Sequence, residues 1–355
     1  MPFPKDLKIQ RVEGELAVAL SKSYPHHTRG FVKIGKKEWF LPYKCAEQGD
    51  KAYNFETRSD DTWIITYPRS GKLFFVLTKC RIDLLFVLIS IMIIYVLCRS
   101  GTTLTQELVW LVANDLNFDV AHRRTLMERF PFLDLGLIVE DDVFASDTPD
   151  EQKISKYSVD FVQNQPSPRF IKSHFPFDLL PTVIKNNCKI IYVARNPKDV
   201  VVSWYYFQKD IKHIQYQGTF EQLCINFMNN HTMWSPYWEH VKSAWAIRHK
   251  PNILFLFYED LIKNLVENIK KVATFFGKTY NNEEIAKLAE HLNIENFRKN
   301  SMVNQGAPGQ KIKPESFIRQ GKTNNWKEIF TPELEKKFNE WIVDNLKDTD
   351  LVFPN

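Results

Sequence analysis

The sequence predicts an α/β protein, a central parallel sheet flanked by helices. Two observations carry this expectation. Three short runs are almost continuously apolar and rich in β-branched or aromatic residues: "DTWIITYP" (61–68), the start of "CKIIYVARNPKDVVVSWYYF" (188–207), and "NILFLFYEDL" (252–261). That is the pattern of strands buried on both faces. Segments with helical spacing alternate with them, which calls for crossover connections and hence parallel neighbours.

In chain order, residues 1–60 are mixed and polar, with aromatics but no clear period, and are expected to form an extended cap on a domain spanning 61–350. The run at 61–68 reads as a strand ended by Pro68. In "TTLTQELVWLVANDL" (102–116), Leu104, Leu108, Leu111, Val112 and Leu116 fall at helical spacing, and Thr102 or Thr103 suits the cap. "RFIKSHFPFDLLP" (169–181) is extended and stopped by prolines. Residues 188–207 read as a buried strand, a turn at Asn196-Pro197, and a helix with Asp199 in its first turn. "SPYWEHVKSAWAIRH" (235–249) is an amphipathic helix, and 262–276, 282–291 and 331–347 are helical as well. Between them, 300–325 reads as a loop with Gly306, Pro308, Gly309, Pro314 and Gly321.

Composition narrows the function. At 355 residues, 44% hydrophobic and 25% charged, the chain can bury a substantial core. Its formal charge of +5 is mild and spread along the sequence, which disfavours a nucleic-acid arm and suits a pocket for a small anion. The five cysteines (Cys45, Cys80, Cys98, Cys188, Cys224) are scattered, with no CxxC pair. Neither a disulfide frame nor a metal site is expected, and a reducing cytoplasmic setting is. The opening "MPFPKDLKIQ" has no apolar signal core, which adds to that expectation.

In a parallel sheet, ligands gather beyond the carboxyl ends of the strands. Tyr67-Pro68-Arg69, Arg195-Asn196 and Tyr258-Glu259 all fall there. A strand running into Ser-Gly-Thr-Thr and a helix forms a phosphate cradle: the glycine allows close approach and the free N–H groups face the anion. Such a turn by itself also serves as a plain helix cap. "TYPRSGKL" departs from G-x-x-x-x-G-K-[ST], with Thr66 at the first glycine and Leu73 after Lys72, which argues against a kinase or GTPase. Lys172 and His174, two apart in an extended segment, point to one side. They pair a cation with an imidazole able to take a proton, or a surface lysine with a structural histidine. Arg195 ends a strand, Ser203 lies about two turns into the next helix, and the two suit a second phosphate. "FIRQGKTNNWK" (317–327) is a basic loop containing glycine.

With these four clusters in this order, the chain resembles the cytosolic sulfotransferase family. Its members have a P-loop-like sulfotransferase fold and move a sulfonate from 3′-phosphoadenosine 5′-phosphosulfate (PAPS) to a hydroxyl or amine. The matching segments are "TYPRSG" with "TTLTQELVWL", "RFIKSHFP", "VARNPKDVVVSWYYF", "FLFYEDL" and "FIRQGKTNNWK", and the resemblance covers about residues 30–350 apart from an insert within the first of them. The ending "WIVDNLKDTDLVFPN" looks like the insect-type branch that includes retinol dehydratase. The resemblance implies His174 as general base and Lys172 as the cation on the transferring sulfonate, with no metal. It implies that Arg69, Arg99, Ser100, Gly101, Thr102, Thr103 and Leu104 lie along the 5′-phosphosulfate turn and helix. Arg195, Ser203, Arg319, Gln320 and Gly321 would surround the 3′-phosphate, and Tyr258 the adenine. The family usually has Lys at Arg69, Trp at Leu104, a cation at Gln320 and a hydroxyl residue at Leu292. The implied acceptor is a small hydrophobic alcohol, phenol or retinoid- or steroid-like compound, and no nucleic acid. A PAPS-dependent dehydratase is the alternative, as is a catalytically inactive variant. The dimer motif survives in part as "KEIFTPELEK" (327–336), with Lys336 in place of Glu, so a homodimer stays an expectation.

One departure is large. Arg-Ser-Gly occurs at 69–71 and again at 99–101, and deleting either 70–99 or 71–100 restores "TYPRSGTTLTQELVWL". Residues 71–100 are therefore a hydrophobic insert inside the turn. Its longest uncharged run, Leu84–Cys98, is fifteen residues, short of the roughly 20 a membrane span needs. A translated intron is one reading: Gly71-Lys72 is compatible with the codons GGT-AAG, a splice donor, and Ser100-Gly101 with TCA-GGN, an acceptor. Membrane association through residues 73–98 is the other. The insert itself is expected to form a hairpin or helix, with the second Arg-Ser-Gly copy filling the turn.

Overall fold

A computed structural model of the chain describes residues 3–4, 7–69, 101–139, 158–210, 214–304 and 325–354. The insert at 71–100 lies outside them, and so does its expected hairpin or helix. At the centre is a four-stranded parallel sheet of β4 (Thr62–Ile65), β5 (Phe170–Ser173), β6 (Lys189–Ala194) and β7 (Ile253–Phe257), in the order β5-β4-β6-β7. Three of these are the apolar runs of the sequence. The fourth, β5, is the extended "FIKS" segment, which pairs along the outer side of β4.

The two-residue period of a strand divides the sheet's side chains between its faces. Ile64, Ile191, Val193 and Leu256 face a cluster built with three helices: α2 (Gly101–Ala113), α6 (Leu265–Phe275) and α7 (Asn282–Leu292). Trp63, Ile65, Ile190 and Tyr192 face the other cluster, which includes α3 (Pro197–Asp210), α4 (Phe220–Met228), α5 (Tyr237–Ala246) and α8 (Pro332–Leu346). Covering both faces in this way is what lets the strands be continuously apolar. Helix α2 stops at Ala113, and Leu116, expected inside it, lies beyond in a positive-φ turn. The strand at 252–261 is shorter than expected, and Tyr258 opens a six-residue helix, Tyr258–Lys263.

Residues 1–60 are not an extended cap. They hold α1 (Gly14–Ser23) and an antiparallel sheet of β1 (Ile9–Arg11), β2 (Phe31–Ile34) and β3 (Trp39–Pro42). Phe31, Val32, Ile34, Trp39, Phe40 and Leu41 are buried in the same cluster as Trp63 and Ile65. Three- and four-residue strands are too short to print a period. The turn from β2 to β3 starts at Gly35, whose φ of +77° is the left-handed region that glycine enters without steric cost. Among the described residues no helix is long and apolar enough to cross a membrane.

Candidate active site

The register sets the strand ends side by side. Ile65 pairs with Ser173 and with Tyr192, and Ala194 pairs with Phe257. Thr66, His174, Arg195 and Tyr258 therefore leave the sheet at one edge. Helix α2 starts at the same edge: the Thr66 and Thr102 hydroxyls are 3.0 Å apart across thirty-six sequence positions. The strand end before the insert and the helix start after it are thus in direct contact.

His174 is fully buried. Its Nδ1 lies 2.7 Å from the Thr66 carbonyl oxygen and 3.0 Å from the Thr66 hydroxyl. A carbonyl can only accept, so Nδ1 carries the proton and donates. That leaves a lone pair on the buried Nε2 of the neutral ring, and Nε2 has no partner among the described residues. Burial first, and then the Lys172 cation, hold the imidazole's pKa well below 6.5. The ring is therefore neutral, and ready to take a proton, at neutral pH. The aromatic rings of Phe132 and Trp234 stand 5.1 and 5.5 Å away. Lys172 Nζ lies 4.3 Å from the Phe132 ring centre, so ammonium and imidazole flank one phenyl group.

The backbone of His174 is pinned from both sides. Its N–H donates to Asp134 Oδ2 at 2.7 Å, while the Ser173 hydroxyl donates to Oδ1 at 2.5 Å and Trp234 Nε1 to Oδ2 at 3.3 Å. Burial pushes the Asp134 carboxyl up to about 7, against the pull of these hydrogen bonds. The His174 carbonyl accepts from His240 Nε2 at 2.9 Å, and the Tyr192 hydroxyl donates to His240 Nδ1 at 2.7 Å. Burial lowers His240 to about 4, which keeps this relay neutral.

Arg69 is fully buried and sits at φ +68°, a left-handed conformation uncommon for a side chain other than glycine. Its Nε donates to the Ser203 hydroxyl at 3.1 Å, and its guanidinium lies 4.2 Å from the Phe207 ring centre. The sequence suggested that Ser203 and Arg195 together hold a second phosphate. In the structure Ser203 bonds to Arg69, and Arg195 reaches Arg69 through that residue's carbonyl, at 3.3 Å. The Arg195 guanidinium lies 4.6 Å from the Tyr258 ring centre and 3.9 Å from Asp199 Oδ1, and its Nε has no partner among the described residues. Tyr258 is buried, and burial pushes its phenol up to about 12. A buried donor with unused capacity, Arg195 Nε, suits an anion.

Thr102 and Thr103 occupy the buried first turn of α2, which opens at Gly101. Leu104 and Leu292, where the family usually has an aromatic ring and a hydroxyl, are buried in one apolar cluster. Arg99, Ser100, Arg319, Gln320 and Gly321 lie outside the described residues. Among the described residues no group of three or more His, Cys, Asp or Glu side chains is arranged to hold a metal ion. Sequence reasoning missed Thr66, Asp134, Trp234 and His240. Thr66 adjoins a quoted motif, but the other three arrive from distant segments that carry no local signal.

Buried guanidiniums and a neutral imidazole at the carboxyl edge of a parallel sheet are the equipment of an α/β enzyme acting on an anionic substrate. Comparison with known proteins makes this specific. Residues 91–350 match the family described as the sulfotransferase domain. Luciferin sulfotransferase of Photinus pyralis is 32% identical over 336 residues, covering 91% of this chain and 81% of that protein. Sulfotransferase 1 family member D1 of Mus musculus is 32% identical, with 88% and 92% covered. A crystal structure of retinol dehydratase in complex with retinol and PAP aligns with a TM-score of 0.81 at 31% identity, over 100% of both chains. The chain belongs to the sulfotransferase family.

Proposed function

We propose that this sulfotransferase uses PAPS to sulfonate the hydroxyl of a small hydrophobic acceptor, with His174 as base. The observation that carries the proposal is the His174 ring: its Nδ1 proton is committed to the Thr66 carbonyl, and its Nε2 lone pair has no partner among the described residues. His174 takes the acceptor's hydroxyl proton at Nε2 as that oxygen bonds to sulfur and the sulfur–phosphate oxygen bond breaks. Lys172 offsets charge building on the departing phosphate. Arg195 has a donor to spare for the 3′-phosphate, with Ser203 and Arg69 beside it. Tyr258 offers adenine a ring face, and Thr102 and Thr103 supply N–H and hydroxyl donors at the start of α2. Arg99, Ser100, Arg319, Gln320 and Gly321 belong to the same proposal. When bound, the nucleotide supplies the sulfonate and leaves as PAP.

A second reading is favoured by the full-length likeness to retinol dehydratase, structures of which hold retinol or androsterone together with PAP. In that reading the sulfonated acceptor goes on to eliminate sulfate. Incubating the full chain, and a chain lacking residues 71–100, with labelled PAPS and a panel of phenols, sterols and retinol tests both. A sulfated product supports transfer, and a dehydrated product without sulfate supports elimination. No reaction by either chain would refute both.

A further inference from the structure

Helix α3 carries a second set of buried polar groups beyond the site described above. Residues four apart on a helix share a face. Ser203 and Phe207 lie against Arg69, and Trp204 and Gln208 make the adjacent row. Trp204 is fully buried, and its ring is 5.9 Å from Trp234, which is 5.5 Å from His174. Phe207 stacks on Trp204 at 5.5 Å. An aromatic wall thus runs from the base to the middle of α3. Gln208 sits at its far end, roughly 7.5 Å along the helix axis from Ser203.

Gln208 is fully buried, and neither its Oε1 nor its Nε2 has a hydrogen-bond partner among the described residues. The same holds for the Trp204 indole N–H and for the hydroxyl of Tyr24, a 2% exposed residue just past α1. The Gln208 amide faces the Tyr24 hydroxyl. Burial, then the phenols of Tyr216 and Tyr67, hold Tyr24 well above its usual pKa, and the Gln208 amide pulls it back. His27, 6.0 Å from Tyr24 ring to ring, is held neutral by burial, its pKa lowered to about 4. The cluster is therefore uncharged, and it offers N–H donors, one amide acceptor and one hydroxyl.

A buried polar group left unpaired is destabilising, and leucine or phenylalanine would fill such space without that cost. Four atoms without a partner among the described residues, at the end of an aromatic wall leading from the base, suit an occupant able to donate and accept. We infer that Gln208, with Tyr24 and Trp204, binds an uncharged oxygen function at the remote end of the acceptor, a second hydroxyl or a ketone. The acceptor class is then an elongated apolar molecule with oxygen at both ends. This deepens the proposed function and rests on that reading.

The test uses the full chain loaded with PAP and reads acceptor binding by quenching of tryptophan fluorescence. The probes are a steroid bearing 3- and 17-hydroxyls and its 17-deoxy counterpart. The wild-type chain is expected to bind the diol about tenfold tighter. In Gln208→Leu that ratio falls to about one, and in Tyr24→Phe to an intermediate value. Equal binding of the two steroids by the wild type, or a ratio that survives Gln208→Leu and Gln208→Met, overturns the inference and assigns the cluster to buried water. Parallel transfer assays with PAPS separate the two claims. Preferential binding without transfer sinks the function and spares this site, whereas transfer without preference does the reverse.

Discussion

Replacing Asp134 with Asn tests whether burial governs the carboxyl that holds the His174 backbone. Asn keeps one oxygen for the His174 and Trp234 N–H groups, but puts an NH2 where Oδ1 accepts from the Ser173 hydroxyl at 2.5 Å. The Ser173 hydroxyl must turn round, a loss of about 1–3 kcal/mol. The wild-type side chain also titrates. Its pKa in the fold, about 7, stands above the 3.8 of free Asp. The fold thus keeps a proton that the unfolded chain has already lost. The resulting stability is present below pH 3.8 and drains away as pH rises through 7. The whole gap corresponds to about 4 kcal/mol, of which roughly 3 kcal/mol falls between pH 5 and 8. Asn does not titrate, so the deficit of Asp134→Asn relative to wild type should shrink by about 3 kcal/mol over that range. Urea unfolding of both proteins at pH 5 and pH 8 reads it directly. A deficit that stays constant would mean the carboxyl is ionised throughout, and the argument from burial would fail.

Four further outcomes follow from the same geometry. Lys172→Ala should lower the transfer rate by about 10²- to 10³-fold, measured as labelled product per unit time, since it removes the proposed charge-stabilising group beside the proposed base. Because the His174 pKa lies well below 6.5, transfer should stay flat from pH 8 down to pH 6.5 and fall only at lower pH; a half-maximum near or above 6.5 would contradict the neutral-ring argument. Glu107 is fully buried between Arg129 at 2.7 Å and His291 at 3.0 Å, so Glu107→Ala should destabilise the chain by about 3–5 kcal/mol in denaturant unfolding. Removing residues 71–100 should give a folded chain that transfers at least as fast as the full one, because Thr66 and Thr102 already meet. Amplifying the transcript across this junction tests the intron reading, and a microsomal pellet assay tests membrane association.

The sheet was legible because β4 and β6 are buried on both faces, and β7, though partly exposed at the edge, is wholly apolar, so all three read as unbroken apolar runs. The placement of Arg69, Arg195 and Tyr258 at one edge followed from one rule about strand ends, which needs no side-chain detail; His174 joins them because the extended "FIKS" segment is a fourth strand of the sheet. The N-terminal sheet was not legible, since strands as short as Ile9–Arg11 and Phe31–Ile34 leave no alternation to detect. Nor was the pairing of Ser203 with Arg69, which depends on a left-handed backbone at an arginine that no propensity favours. Asp134 and His240 were invisible for another reason. Each meets His174 from far along the chain, 40 and 66 positions away, so only the fold brings them together.

The most direct measurement is sulfonate transfer by His174→Ala in the chain lacking residues 71–100, with PAP affinity measured alongside. Loss of the proposed proton acceptor at the reacting oxygen should slow transfer by about 10²- to 10⁴-fold while PAP binds nearly as before. Undiminished turnover would show that another group removes the proton.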